Sequence, residues 1–325
     1  MIDLKLEASY NKKDIKKEPI RAGFSKGLLA AGTENTEIVA ACADLTTSTG
    51  MNLFAEAFPD RFIEVGVAEQ NLVTVGSGLA AIGKVPFVSS YAAFSPGRNW
   101  EQIRTTICLN DQPVKVVGSH AGISVGPDGA THQMLEDIAL MRVLPNMVVV
   151  VPGDSLEAER ATIALAKDSR PAYLRLAREA TPIITTKDSP FVIGKAYLYR
   201  QGNDISLMTT GTMTYQALVA ADNLIKKGIS VEVLHIPTIK PLDTVAVLAS
   251  AKKTKRIITV EEAQIAGGLG SVVAEFLSEE TPTKIHRMGI KDRFGESGKP
   301  DELLEHFGLT SKHIELQIHR MLIDK

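Results

Sequence analysis

Short apolar runs rich in β-branched residues alternate along this chain with amphipathic stretches of ten or more residues. That alternation predicts parallel sheets covered by helices on both faces. In the first half, residues 37–41, 62–65, 85–89, 114–118, 147–151 and 172–176 are expected strands, with helices at 68–82, 98–110, 135–143 and 155–166 between them. From 181 to 190 the chain turns to Thr, Pro, Ser and Asp, the composition of a connection. The alternation then resumes, with strands at 205–209, 231–236, 256–260 and 284–288 and helices at 214–227, 242–251 and 269–277. The expected fold class is therefore α/β, with two domains that each hold a mostly parallel sheet flanked by helices. Their expected extents are an N-terminal arm over 1–18, a first domain over 19–180, a linker over 181–191 and a second domain over 192–325.

Length agrees with two domains, since 325 residues exceed what one hydrophobic core usually organises. Composition removes several classes of function. A hydrophobic share of 44% and a formal net charge of -2 leave no basic excess for nucleic acid. No apolar run reaches membrane-spanning length, and residues 1–17 lack the continuous apolar segment of a secretory signal, so a cytoplasmic protein is expected. Cys42 and Cys108 each sit in an apolar stretch, without ligand-type neighbours at metal spacing, and read as small buried hydrophobes in a reducing compartment.

Ligands in open parallel sheets bind beyond the carboxyl ends of the strands. Polar residues gather after four expected strands: Ala43-Asp44-Leu45-Thr46-Thr47-Ser48; Gly66-Val67-Ala68-Glu69-Gln70; Tyr91-Ala92-Ala93-Phe94; and the glycine-rich stretch from Gly118 to Gln133. Glu69 opens an apolar helix, where the helix dipole stabilises a carboxylate and where capping acids are also common. The segment between His120 and His132 is long for a simple connection, which favours function over a surface turn. Arg21, Arg98 and Arg178 are scattered in sequence, and only a shared site makes such arginines anion ligands. Gly267-Gly268-Leu269-Gly270-Ser271 lacks the third glycine of a dinucleotide fingerprint, and no Walker loop occurs.

Taken jointly, the clusters resemble the pyrimidine-binding domain of the transketolase family. The strongest pieces are Ala43-Asp44-Leu45 with Ser48, Gly66-Val67-Ala68-Glu69, and Gly126-Pro127-Asp128-Gly129-Ala130-Thr131-His132-Gln133 followed by Leu144-Pro145-Asn146-Met147. Pro171 to Arg178, Val260-Glu261-Glu262-Ala263, Gly267 to Ser271 and Phe294 to Gly298 extend the resemblance through the transketolase C-terminal domain. It covers the chain from about Pro19 onward and implies a thiamine-diphosphate enzyme that passes a two-carbon ketol unit from a ketose phosphate to an aldose phosphate. Glu69 matches the acid that hydrogen-bonds the aminopyrimidine, Tyr91 and Phe94 its aromatic platform, and Asp44 and Val67 positions beside the cofactor. His132 matches a residue that contacts donor hydroxyls and assists proton transfer, and Asp128 a partner for a sugar hydroxyl. Arg21, Ser48, His120 and Arg178 match the phosphate-binding end.

The same resemblance implies a missing piece. The family holds the cofactor diphosphate and a Mg2+ or Ca2+ ion with a Gly-Asp-Gly segment and a downstream asparagine. Here Gly153-Asp154 is followed by Ser155 and Asp128-Gly129 is preceded by Pro127, so neither supplies that segment, and no metal ligand is assigned. The expectation is a split enzyme: an N-terminal subunit carries the metal, two copies of each chain form the assembly, and this chain alone is inactive. 1-Deoxyxylulose-5-phosphate synthase resembles the same domains, and Arg98 favours it, whereas Ala43-Asp44-Leu45-Thr46 and His120 look more like transketolase. The β subunit of an oxo-acid dehydrogenase leaves the sugar-phosphate ligands without purpose, and a non-catalytic scaffold leaves Glu69, Asp128 and His132 without one.

Overall fold

The alternation is realised in the computed structural model of the chain, which describes residues 6, 7, 10 and 14–323. Much of the expected N-terminal arm lies outside those residues. In chain order the first half runs β1 (Lys17–Pro19), α1 (Ile20–Glu34), β2 (Ile38–Cys42), α2 (Thr46–Thr49), α3 (Asn52–Ala57), β3 (Phe62–Glu64), α4 (Glu69–Ala81), β4 (Val85–Tyr91), α5 (Trp100–Gln102), β5 (Lys115–Ser119), α6 (Asp137–Arg142), β6 (Val148–Val150), α7 (Ser155–Ala166), β7 (Ala172–Arg175) and β8 (Ala180–Pro182). The second half continues with β9 (Tyr197–Arg200), β10 (Ile205–Thr209), α8 (Met213–Ile225), β11 (Val231–His235), β12 (Thr238–Lys240), α9 (Thr244–Thr254), β13 (Arg256–Gln264), α10 (Leu269–Glu280), β14 (Lys284–Ile290), α11 (Pro300–His306) and α12 (Ser311–Ile323).

Seven strands form the first sheet in the order β12-β6-β7-β5-β4-β2-β3, parallel except for β12. Strand β12 belongs in sequence to the second half, yet it pairs with β6 and closes that edge. Five strands form the second sheet in the order β14-β13-β10-β11-β9, with β9 antiparallel at its edge. The two halves share core as well as sheet: one apolar cluster runs from Val88, Val116 and Val149 to Met208, Leu234 and Val273. Both cysteines are buried, as the sequence predicts.

Helix α1 was not among the expected elements, and Gly23, Gly27 and Gly32 weaken its local helix signal. Its glycines serve packing. A Cβ on Gly23 would strike the Ser155 carbonyl, and one on Gly27 would lie 2.7 Å from the Glu159 carbonyl, so α1 and α7 approach backbone to backbone. The expected helix over 98–110 begins only at Trp100, after Asn99 at its N-cap, and continues as a π-helical stretch, Ile103–Cys108. The connecting stretch is also tied down. Strand β8 pairs with β1, and the N–H groups of Ile184 and Thr185 both donate to the buried Asp154 carboxylate, at 2.8 and 2.7 Å.

Candidate active site at the carboxyl ends of the first sheet

From β2 the chain moves to β3 on one side and then to β4 on the other, so the loops after β2, β3 and β4 frame a crevice where the strand order reverses. Glu64 organises two of them. Its Oε1 accepts the backbone N–H groups of Asp44 (2.7 Å) and Gly66 (2.8 Å), and its Oε2 accepts the Thr46 hydroxyl (3.2 Å). Asp44 turns left-handed, with φ 59°, which Asp tolerates better than most residues. Asp44 and Val67 are both exposed. Two residues on, Glu69 starts α4 with only 4% of its side chain exposed, and Arg98 Nη1 donates to both carboxylate oxygens, at 3.2 and 3.1 Å. Asn99 steadies that turn by donating its amide to the Glu69 carbonyl at 2.8 Å.

Rings continue the line. The Arg98 guanidinium lies over Phe94, 4.2 Å from its centroid. Phe94 stacks with Tyr91 at 5.9 Å, and Tyr91 stacks on His120 at 3.9 Å. His132 stands edge-on to both aromatic rings, 5.4 Å from Phe94 and 6.3 Å from Tyr91. His120 is buried, left-handed (φ 56°) and shares a 2.8 Å hydrogen bond between its Nδ1 and Ser119 Oγ. Burial, reinforced by Arg21, Arg178 and His132, pushes its pKa down to about 3, so this imidazole is neutral near pH 7.

Arg21 and Arg178 complete the recess beside His120. Nη1 of Arg21 donates to the Arg178 carbonyl, and Nη1 of Arg178 to the Val125 carbonyl at 2.6 Å. Burial, with Arg178 nearby, lowers the pKa of Arg21. Arg178 Nη1 also lies 3.6 Å from the Glu179 carboxylate, and each guanidinium spends one nitrogen on these partners, leaving its other nitrogens to face an anion. Gly50, which ends α2, lies against the Arg21 carbonyl and brings the Ser48 loop alongside, although among the described residues no hydrogen bond joins Ser48 to the arginines. Asp128 is exposed on the far arm of the His120–His132 loop.

That loop is fastened by the second half of the chain. Glu262 Oε1 accepts the Ser124 N–H at 2.7 Å, while its Oε2 accepts the Thr212 hydroxyl at 2.8 Å. Gly122, at φ 89°, leaves room for that carboxylate where a side chain would collide with it. Gln133 donates its amide to the carbonyls of Ile123, Gly126 and Glu296, at 3.1, 3.2 and 2.9 Å. Beneath the loop, buried Arg175 pairs with Asp137 at 2.7 Å and donates to the Glu262 carbonyl at 3.0 Å, and Tyr173 adds its hydroxyl to Asp137.

The pattern that defines the pyrimidine-binding domain of transketolase matches residues 16–183, and that of the transketolase C-terminal domain matches 194–314. The chain belongs to the transketolase family. It is 42% identical to a putative transketolase C-terminal section of Methanocaldococcus jannaschii, over 92% of this chain and 95% of that one. A 6-deoxy-6-sulfo-D-fructose transketolase subunit of Clostridium sp. (strain MSTE9) is 41% identical over 90% and 91%. Among solved structures, a split-gene transketolase described as an inactive beta4 tetramer superposes with a TM-score of 0.88 at 41% identity, covering 94% of this chain and 98% of that one. The transketolase of Campylobacter jejuni, at 22% identity and a TM-score of 0.80, shares the fold over 50% of its own length.

Within this transketolase-family chain, the structure brings Glu69, Tyr91, Phe94, His120 and His132 into one connected group, with Arg21 and Arg178 at its end. Asp44, Val67, Ser48 and Asp128 stand on the surrounding loops. Sequence reasoning passed over the fasteners Glu64, Asn99, Glu262, Arg175 and Asp137. Gln133, Arg175 and Glu262 fall inside the motifs that carry the resemblance, and that was their one signal. Arg98, scattered in sequence from the other arginines, bonds a carboxylate, Glu69, rather than joining Arg21 and Arg178.

Proposed function

We propose that this chain is the C-terminal subunit of a two-chain, thiamine-diphosphate-dependent transketolase that moves a two-carbon ketol unit between phosphorylated sugars. The observation that carries the reading is the buried Glu69 carboxylate at a helix start, bridged by Arg98 to the partly buried ring of Phe94. A flat nitrogen donor fits there: the Arg98 guanidinium lies over that ring while bonded to the acid, as an aminopyrimidine would. When bound, thiamine diphosphate supplies the carbon nucleophile that takes up the ketol unit. The protein's own contribution is to hold and protonate. Glu69 bonds the pyrimidine ring, Phe94 and Tyr91 support it, and Val67 and Asp44 border it.

In this reading His132, edge-on to both rings, hands protons to and from sugar hydroxyls, and Asp128 partners a sugar hydroxyl. Arg21, Arg178 and neutral His120, with Ser48 alongside, receive the anionic end of the sugar. Relatives named for apulose 4-phosphate (Phocaeicola vulgatus, 37% identical) and for 6-deoxy-6-sulfo-D-fructose support a sugar with a tetrahedral anionic terminus. Among the described residues no three His, Cys, Asp or Glu side chains cluster as a metal site requires. The Mg2+ or Ca2+ ion and the cofactor diphosphate belong to an N-terminal partner subunit in an α2β2 assembly.

The deciding experiment measures ketol transfer from xylulose 5-phosphate to ribose 5-phosphate with thiamine diphosphate and Mg2+, first with this chain alone and then with the N-terminal chain added. Turnover only in the mixture, lost in Glu69→Ala, is expected. Turnover by the chain alone overturns the two-chain reading.

A further inference from the structure

A second basic recess lies in the other half of the molecule, away from the first sheet. A cavity of about 270 Å³ opens between the edge strand β14 and helices α11 and α12. Six lining side chains are basic: His286, Lys291, Arg293, His306, His313 and Arg320. Among the described residues no carboxylate lines it, in a chain that holds 38 acidic residues against 36 Lys and Arg. Such segregation is not a product of composition.

Acids stand behind the rim and orient part of the set. Glu296 pairs with Arg293 and lies 3.5 Å from His306, and Glu305 lies 3.9 Å from His313. Arg293 is further steadied over the Phe307 ring, 4.5 Å from its centroid. Lys291, Arg320 and His286 have no carboxylate partner among the described residues. Burial, and then the nearby charges of Lys291 and Arg320, push the His286 pKa down, which places both cations close to this ring. Concave walls of one sign concentrate ions of the other.

We infer that this recess is a binding site for a small phosphate dianion, free or as an ester, with Lys291 and Arg320 as its main charges and the imidazoles as further donors. Arginine's planar fork and the lysine ammonium suit a tetrahedral dianion. The volume admits a phosphorylated metabolite of modest size rather than a polymer. Neither the family assignment nor the proposed activity assigns these residues a role, and the inference stands without that activity.

Isothermal titration of the full chain with inorganic phosphate, ribose 5-phosphate and unphosphorylated ribose tests it. Arg21→Ala disables the candidate active-site anion end, and Lys291→Gln with Arg320→Gln disables the recess; Lys291 and Arg320 are exposed, so the fold should tolerate the change. Expected is a saturable site that survives Arg21→Ala, weakens at least about tenfold in the double variant and ignores ribose. Inorganic phosphate binding as tightly as the ester identifies the free ion as occupant, and tighter ester binding identifies a phosphorylated metabolite. Independently of any variant, the C2–H resonance of His286 should shift on phosphate addition to the wild-type chain. Binding that disappears with Arg21→Ala, is untouched in the double variant or never saturates, or a His286 resonance that stays still, overturns the inference.

Discussion

In the proposed function Glu69 and Phe94 hold the cofactor's pyrimidine, so Arg98 stands in its place and its removal should tighten cofactor binding. The guanidinium meets both oxygens of Glu69 at 3.1 and 3.2 Å and lies 4.2 Å above Phe94, while half of the Arg98 side chain is exposed. An ion pair with one exposed partner is worth about 0.2–1 kcal/mol. A half-exposed cation over an aromatic ring adds about 0.5–1 kcal/mol. Together the self-contact holds the site with about 1–2 kcal/mol, which an incoming ligand must replace. Arg98→Ala should therefore lower the Kd for thiamine diphosphate about 5- to 30-fold. Arg98→Lys keeps the charge but loses the planar fork, so it should fall between. Titration of the reconstituted two-chain complex, followed by calorimetry at fixed Mg2+, gives the numbers. Equal or weaker binding in Arg98→Ala would refute the reasoning, because it would make Arg98 a support for the cofactor rather than its competitor. Absence of cofactor binding in every variant would instead count against the two-chain reading itself.

Two further outcomes concern the scaffold. Asp154 caps α7 through the Glu157 N–H at 2.8 Å and also accepts the N–H groups of Ile184 and Thr185 and the Thr185 hydroxyl. Asp154→Ala strands these buried donors and should cost about 3–5 kcal/mol in urea unfolding, with Asp154→Asn recovering part; a loss under about 1 kcal/mol would contradict this. His120 has its pKa lowered from 6.5 to about 3, so the unfolded chain binds the extra proton between those values. Stability from that group is present above about pH 6.5 and is lost as pH falls toward 3, by up to about 1.4 kcal/mol per unit. The stability difference between wild type and His120→Asn should narrow from pH 7 to pH 4.5, and parallel unfolding curves would remove His120 as the cause.

How much of this was legible in the sequence depends on whether the signal is local. Strands such as β5 and β10 announce themselves as buried apolar runs bounded by polar loops. Helix α1 did not, because its glycines lower local helix propensity for the sake of a contact with α7, more than 120 positions away. Strand β12 is three residues long and finds its partner in the other half of the chain, so no periodicity could reveal it. Strand β9 and helices α11 and α12 were likewise passed over, all in the second half.

The site divides along the same line. Glu69, Tyr91, Phe94 and His120 lie close after strand ends, where ligands gather, with His132 on the loop that follows, and it was their joint resemblance to transketolase that nominated them. What sets their geometry lies far away in sequence: Glu262 and Glu296 restrain the loop of His120 and His132 across more than 130 positions. A loop held by the opposite domain moves whenever that domain moves. The shared sheet edge at β12 and the continuous core from Val149 to Met208 therefore bear on chemistry as much as on stability. By fixing one domain against the other, they hold the loop whose His132 stands edge-on to Phe94, and under the proposed function such a reacting geometry tolerates little displacement. Substitutions at the β12–β6 seam should accordingly disturb turnover before they unfold the chain.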